Sequence, residues 1–175
     1  MENSRSDILL IGMPMSGKST IGKALSEKIK YAFNDMDRII EDRYKQSVSH
    51  IFETLGEEQY RLYEIECLED FSGRNNLILS TGGGAINDKS IDMSLSFKYR
   101  IWLQASIEEL IKRYAQDKKE RPLLYNTNNI ESFLMDMYHS REFFYMNCSN
   151  IVINTTSRTI DQITNELITR IDELN

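Results

Sequence analysis

An α/β fold, with a parallel sheet layered between helices, is predicted by three features of this 175-residue sequence. Short runs rich in Ile, Val, Leu and aromatic residues recur along the chain. They are mostly non-alternating, as strands buried on both faces are. Stretches with helical apolar spacing separate them. Such alternation gives a three-layer α/β/α arrangement and gathers ligands at the carboxyl ends of the strands.

The first strand is expected at Ile8–Ile11. Gly12-Met13-Pro14-Met15-Ser16-Gly17-Lys18-Ser19-Thr20 follows it directly, a full match to GxxxxGK[ST] that runs into a helix over Lys18–Ile29 with Ile21, Leu25 and Ile29 on one stripe. The glycines let backbone N–H groups curl round phosphate oxygens, Lys18 reaches the β/γ-phosphates, and the Ser19 hydroxyl can bind Mg²⁺. An ordinary glycine turn into a helix would not explain Lys18 and Ser19 at those positions.

The second strand, Tyr31–Phe33, leads into Asn34-Asp35-Met36-Asp37. In extended backbone the carboxylates of Asp35 and Asp37 face the same side. One could hold a Mg²⁺ shell while the other accepts a hydrogen bond from a substrate hydroxyl. The alternative is that Asp37 caps the helix beginning near Arg38, which is expected to continue in one stretch to about Arg74. The third strand, Leu77–Leu79, ends in Ser80-Thr81-Gly82-Gly83-Gly84. This is either a close backbone approach to a small ligand or a flexible connection.

A fourth strand at Tyr99–Leu103 precedes a helix over Ile107–Gln116. The polar stretch that follows reads as a mobile lid or as an ordinary solvated connection. A helix at Ile130–Tyr145, a fifth strand at Ile151–Ile153 and a helix at Ile160–Leu174 complete the chain.

Lys and Arg total 21 against 27 Asp and Glu, a net charge of −6, which argues against a general nucleic-acid or anionic-membrane surface. An anionic ligand must be caught locally. Cys67 and Cys148 lie far apart without metal-ligand spacing, so a reducing cytoplasmic setting is expected. The polar N-terminus and the short first apolar run suggest neither a signal segment nor a membrane span. Without a repeat or a linker, residues 1–175 read as one domain. His50 and His139 read as structural or surface residues, and Met13 and Met15 as neighbours of the cleft.

Arg61, Arg121 and Arg141 would each pass singly for solvated surface residues. Their interest is chemical: a carboxylated substrate needs a guanidinium fork, and phosphoryl transfer needs a cation over the migrating group. Spacing alone does not select them.

Taken together, GMPMSGKST, the FNDMD acidic pair, GEEQYR, STGGG, RPLL and REFFY resemble the shikimate kinases, a family of small P-loop kinases of aromatic amino-acid biosynthesis. The resemblance covers nearly the whole chain in the right order. It implies a five-stranded sheet of order 2-3-1-4-5, related to that of nucleoside-monophosphate kinases. It also implies a substrate-binding helical region at about 36–65 and a lid at about 114–129.

The implied reaction transfers the γ-phosphoryl of ATP, with Mg²⁺, to the 3-hydroxyl of shikimate. Residues 12–20 would hold ATP, with Arg113 and Arg158 on the adenine, and Ser19 and Asp35 would serve the metal. Asp37 would orient the acceptor hydroxyl. Arg61 and Arg141 would grip the substrate carboxylate beside Gly82, Gly83 and Gly84, and Arg121 would reach the γ-phosphate from the lid. A monomer is expected, with no nucleic-acid or membrane partner. Met15 stands where the family usually has a small residue, a departure expected to alter loop packing rather than phosphate grip. The rival readings are another small-molecule kinase, such as one for gluconate, and a module that binds ATP without transferring phosphate.

Overall fold

The structure is a computed structural model that describes residues 6–116 and 129–174. Five strands, β1 (Asp7–Ile11), β2 (Ala32–Asp35), β3 (Leu77–Ser80), β4 (Tyr99–Gln104) and β5 (Ile151–Asn154), form one sheet of order β2-β3-β1-β4-β5. Every pairing is parallel, with Ile8 opposite Ile78 on one side and Tyr99 on the other. The helices are α1 (Lys18–Ile29), α2 (Met36–Tyr44), α3 (Val48–Phe71), α4 (Ile91–Ser94), α5 (Ile107–Gln116), α6 (Ile130–Cys148) and α7 (Ile160–Glu173). The expected sheet order and helical layers are therefore present.

Strand periodicity divides the core in two. Leu9 and Ile11 of β1 face a cluster that includes Met36, Ile40, Leu68, Trp102, Leu110, Leu134 and Tyr145, contributed largely by α2, α3, α5 and α6. Ile8 and Leu10 face the opposite way, onto Ile21 and Leu25 of α1 and Ile163 and Leu167 of α7. Every residue of β1 is buried, which explains the continuous apolar run. The one polar residue of the strand is Asp7, whose buried carboxylate accepts from the Gly73 N–H at 3.0 Å and the Lys98 N–H at 2.9 Å, tying down the approaches to β3 and β4.

The stretch expected as one helix to Arg74 is two. Lys45 leaves α2 in a left-handed conformation, and Ser47 then caps α3 by accepting from the His50 N–H at 3.2 Å. Inside α3, Gly56 adopts φ 81°, ψ 170°, a break in the helical backbone that a non-glycine residue would find strained. The one-turn α4 was not foreseen.

β2 also runs further than expected, to Asp35, and α2 starts at once with Met36. Asp35 and Asp37 therefore do not share an extended segment. The cap of α2 is Asp35, accepting from the Arg38 N–H at 3.4 Å, and not Asp37, which lies in the first helical turn. Most of the expected lid, including Arg121, lies outside the described residues.

Candidate active site

The site lies at the carboxyl ends of β1, β2 and β3, where β1 and β3 open into loops and β2 runs straight into α2. Gly12 leaves β1 at φ 138°, and an added Cβ there would stand 2.5 Å from the Leu103 carbonyl, so the turn tolerates only glycine. Gly17 caps α1 with φ 99° and no side-chain cap hydrogen bond, leaving the first amides of the helix for a ligand. Lys18 folds back over the loop, donating from Nζ to the Gly12 and Met13 carbonyls at 2.8 Å each. Ser19 donates from Oγ to Asp35 Oδ2 at 2.7 Å, so the two oxygens assigned to metal are adjacent. The Ser16 hydroxyl is buried without a hydrogen-bond partner among the described residues.

A cavity of about 650 Å³ opens over this loop. Its walls include Lys18, Ser19, Asp37, Arg113 and Arg158. Uncapped helical amides, a buried cation, an orphaned hydroxyl and an adjacent hydroxyl–carboxylate pair suit a nucleotide triphosphate with a divalent cation. Met13 and Met15 are both buried in the core, and Met15 also borders the cavity.

Arg113 and Arg158 both line this cavity, each held by different partners. Arg113 on α5 pairs with Glu109 at 2.9 Å and donates to the Met15 carbonyl at 3.1 Å. Arg158 donates to the Asn154 carbonyl at 3.0 Å and pairs with Glu166 at 2.6 Å.

The Gly82–Gly84 loop separates this cavity from a second, of about 500 Å³, which Arg61, Gly84, Arg141 and Phe144 help to line. Asp37 of α2, Arg61 and Arg141, expected from scattered motifs, thus meet around one glycine loop. An added Cβ on Gly84 would sit 2.5 Å from Arg61 Nη2, so this glycine lets the guanidinium lie against the backbone. Asp37 Oδ1 accepts from the Tyr60 hydroxyl at 2.8 Å.

Three contributors went unnoticed in the sequence. Glu64, only 1% exposed, forms an ion pair with Arg61 Nη1, while its Oε1 has no hydrogen-bond partner among the described residues. Burial pushes its carboxyl up to about 7 against the opposing pull of Arg61. Its signal was the i,i+3 spacing from Arg61, which resembles that of any surface ion pair. Tyr60 and Tyr145 are the others. Tyr145 donates to the Gly83 carbonyl and anchors the glycine loop, and burial pushes its phenol up to about 12. Arg141 Nη1 is buried without a hydrogen-bond partner among the described residues, a donor awaiting an acceptor.

A sequence profile described as shikimate kinase matches residues 14–172. A shikimate kinase of Clostridium botulinum strain Langeland is 40% identical over 157 residues, covering 89% of each chain. One from Enterococcus faecalis is 34% identical over 168 residues, covering 95% of this chain and 98% of its own. Among solved structures, the shikimate kinase from Acinetobacter baumannii in complex with shikimate superposes with a TM-score of 0.90 at 29% identity, covering 97% of this chain and 94% of that one. With its phosphate loop, glycine loop and arginine pair arranged as above, the chain belongs to the shikimate kinase family.

Proposed function

We propose that this chain transfers the γ-phosphoryl group of ATP to the 3-hydroxyl of shikimate, giving shikimate 3-phosphate for aromatic amino-acid biosynthesis, and that it works as a cytoplasmic monomer. The observation that carries this reading is the placement of two guanidinium groups, one with a buried N–H that is unpaired among the described residues, beside an acidic residue at the mouth of a phosphate loop. A carboxylated polyol suits the first, and an acceptor hydroxyl suits the second.

In this mechanism ATP with Mg²⁺ supplies the transferable phosphoryl group and a divalent charge that eases its departure. Lys18 and the amides of residues 15–19 hold the phosphates, and Ser19 and Asp35 hold the metal's shell. Arg61 and Arg141 clamp the substrate carboxylate against Gly83 and Gly84. That clamp delivers the ring hydroxyl to Asp37, which orients it and accepts its proton. Tyr60 fixes the Asp37 carboxylate by its hydrogen bond. Arg121, outside the described residues, is assigned to the γ-phosphate, and the stretch about 114–129 to the lid that excludes water. Among the described residues no helix is long and apolar enough to cross a membrane.

The test is ADP release from ATP and Mg²⁺ with shikimate, gluconate, a nucleoside monophosphate or no acceptor. Stimulation by shikimate alone is expected. Equal stimulation by gluconate would refute the substrate assignment, and ATP binding without stimulation by any acceptor would reduce the protein to a nucleotide-binding module.

A further inference from the structure

We infer that Arg113 is a positioning residue for the phosphate loop, holding the Met15 carbonyl against Thr155 and so fixing the loop that receives the triphosphate. The inference rests on the reading of residues 12–20 as a phosphate site. It is separate from any contact of Arg113 with the nucleotide base.

Met15 sits at φ 64°, a left-handed conformation that a side chain bearing a Cβ occupies at a cost. Its neighbours must therefore hold it there. The Met15 side chain is 9% exposed and packs into the core beneath the sheet's carboxyl edge. Its carbonyl is held separately, by Arg113 Nη1 at 3.1 Å. The same guanidinium donates from Nη1 to Thr155 Oγ1 at 3.2 Å and from Nη2 to the Thr155 carbonyl at 2.8 Å, while Nε binds Glu109 at 2.9 Å. Four N–H directions of a rigid fork are thus committed to protein, three of them to a bridge between the phosphate loop and the segment after β5.

Thr155 extends the bridge. It is fully buried, and its Oγ1 lies 3.3 Å from the Ser16 carbonyl and 3.0 Å from the Gln104 carbonyl, with one proton to share. Two successive loop carbonyls, Met15 and Ser16, are therefore gripped by one cluster. In a planar trans peptide the carbonyl and the following N–H point in opposite directions. Holding the Ser16 carbonyl towards Thr155 turns the Gly17 N–H the other way. Gly17 is the N-cap of α1, and a Cβ on it would lie 3.8 Å from Arg113 Nη1, so the brace sits directly behind the helix start.

Inorganic tripolyphosphate with Mg²⁺ is the probe, because it presents phosphates and no base. Its dissociation constant would be measured by calorimetry for the unaltered protein, Arg113→Ala, Arg113→Lys, and Arg113→Ala combined with Met15→Gly. Shikimate affinity and melting temperature serve as controls. Charge-assisted hydrogen bonds of this kind lead us to expect a loss of about tenfold or more in tripolyphosphate affinity for Arg113→Ala. Lysine should not restore it, since a single ammonium cannot span Met15 and Thr155. Met15→Gly should recover part of it, by accepting the left-handed conformation without strain.

Unchanged tripolyphosphate affinity with weakened ATP would overturn the proposal and leave Arg113 as a base contact only. Full restoration by lysine would also overturn it, in favour of simple charge. No tripolyphosphate binding by the unaltered protein would instead refute the phosphate-site reading. Should Arg113→Ala fail to fold, Thr155→Val answers the same question. It removes the shared hydroxyl at nearly constant volume, and the proposal then requires weaker tripolyphosphate binding with unchanged shikimate affinity.

Discussion

Removing Arg61 should damage the protein twice, and the two injuries can be separated. Arg61→Ala strands the carboxylate of Glu64, which is 1% exposed and, among the described residues, pairs with that guanidinium alone. Deleting one member of a buried ion pair costs about 3–5 kcal/mol, because the remaining charge is neither solvated nor compensated. Glu64 can escape part of this by taking up a proton, since burial already holds its carboxyl at about 7.

The sign of the pH dependence follows. A carboxyl raised above its unfolded value stabilises the fold in its protonated form. That contribution is complete below the unfolded value of 4.5 and is lost as pH rises through about 7. Without Arg61 the native value rises further, so Arg61→Ala should lose most at pH 8 and less at pH 6. A loss of about 3 kcal/mol in a chain of this size lowers Tm by about 6–12 °C.

Calorimetric melts at both pH values would compare the unaltered protein, Arg61→Ala, Glu64→Gln and the double variant. Adding Glu64→Gln should return most of the lost stability and remove its pH dependence. It should not return function, and kcat/KM for shikimate should stay down by about 100-fold in both Arg61 variants, the worth of one or two charge-assisted hydrogen bonds. If the double variant melted as low as Arg61→Ala at pH 8, stranded charge would not be the cause and the reasoning would fail.

Gly84→Ala places a methyl group 2.5 Å from Arg61 Nη2 and must displace the guanidinium. KM for shikimate should rise about tenfold with KM for ATP unchanged, and an equal rise in both would contradict a local effect. Ser19→Ala removes the hydroxyl 2.7 Å from Asp35 and should raise the Mg²⁺ concentration for half-maximal activity by about tenfold, with little change in Tm. It is a cleaner probe than Asp35→Asn, which would also weaken the cap of α2, worth about 1 kcal/mol. Tyr60→Phe frees the Asp37 carboxylate from its 2.8 Å anchor, and kcat should fall about tenfold while shikimate affinity holds; an unchanged kcat would show that the anchor does not matter.

What the sequence disclosed followed from how strongly each feature is encoded locally. The buried strands betray themselves because both faces of β1, β3 and β4 must be apolar. The phosphate loop is legible because every residue type in it has a local reason. The boundary of α2 was harder: whether Asp35 or Asp37 caps it depends on how far β2 pairs with β3, a tertiary matter that extends the strand to Asp35↔Ser80. The split before α3 rests on Lys45 and the Ser47 cap, and the break within it on the backbone of Gly56, none of which disturbs apolar periodicity. Glu64 was invisible for a different reason. Its environment is made by Gly82, a residue eighteen positions away, whose missing side chain leaves room for the carboxylate.

The two-sided core has a practical consequence for anyone wishing to harden this protein. Met13, Met15, Met36, Tyr60, Ala85 and Tyr145, which floor or flank the catalytic cleft, all belong to the cluster on the α2, α3 and α6 side. The cluster under α1 and α7 is built mainly from aliphatic side chains of the sheet and those two helices. Repacking or cross-bracing the α1–α7 side away from Ile21 and Ile163, which also line the cavity over the phosphate loop, should therefore raise heat tolerance at little expense in turnover, whereas equivalent changes on the other side would alter shape where substrate is received. The sheet acts as a bulkhead, giving an engineer one compartment to rebuild while the other stays in service.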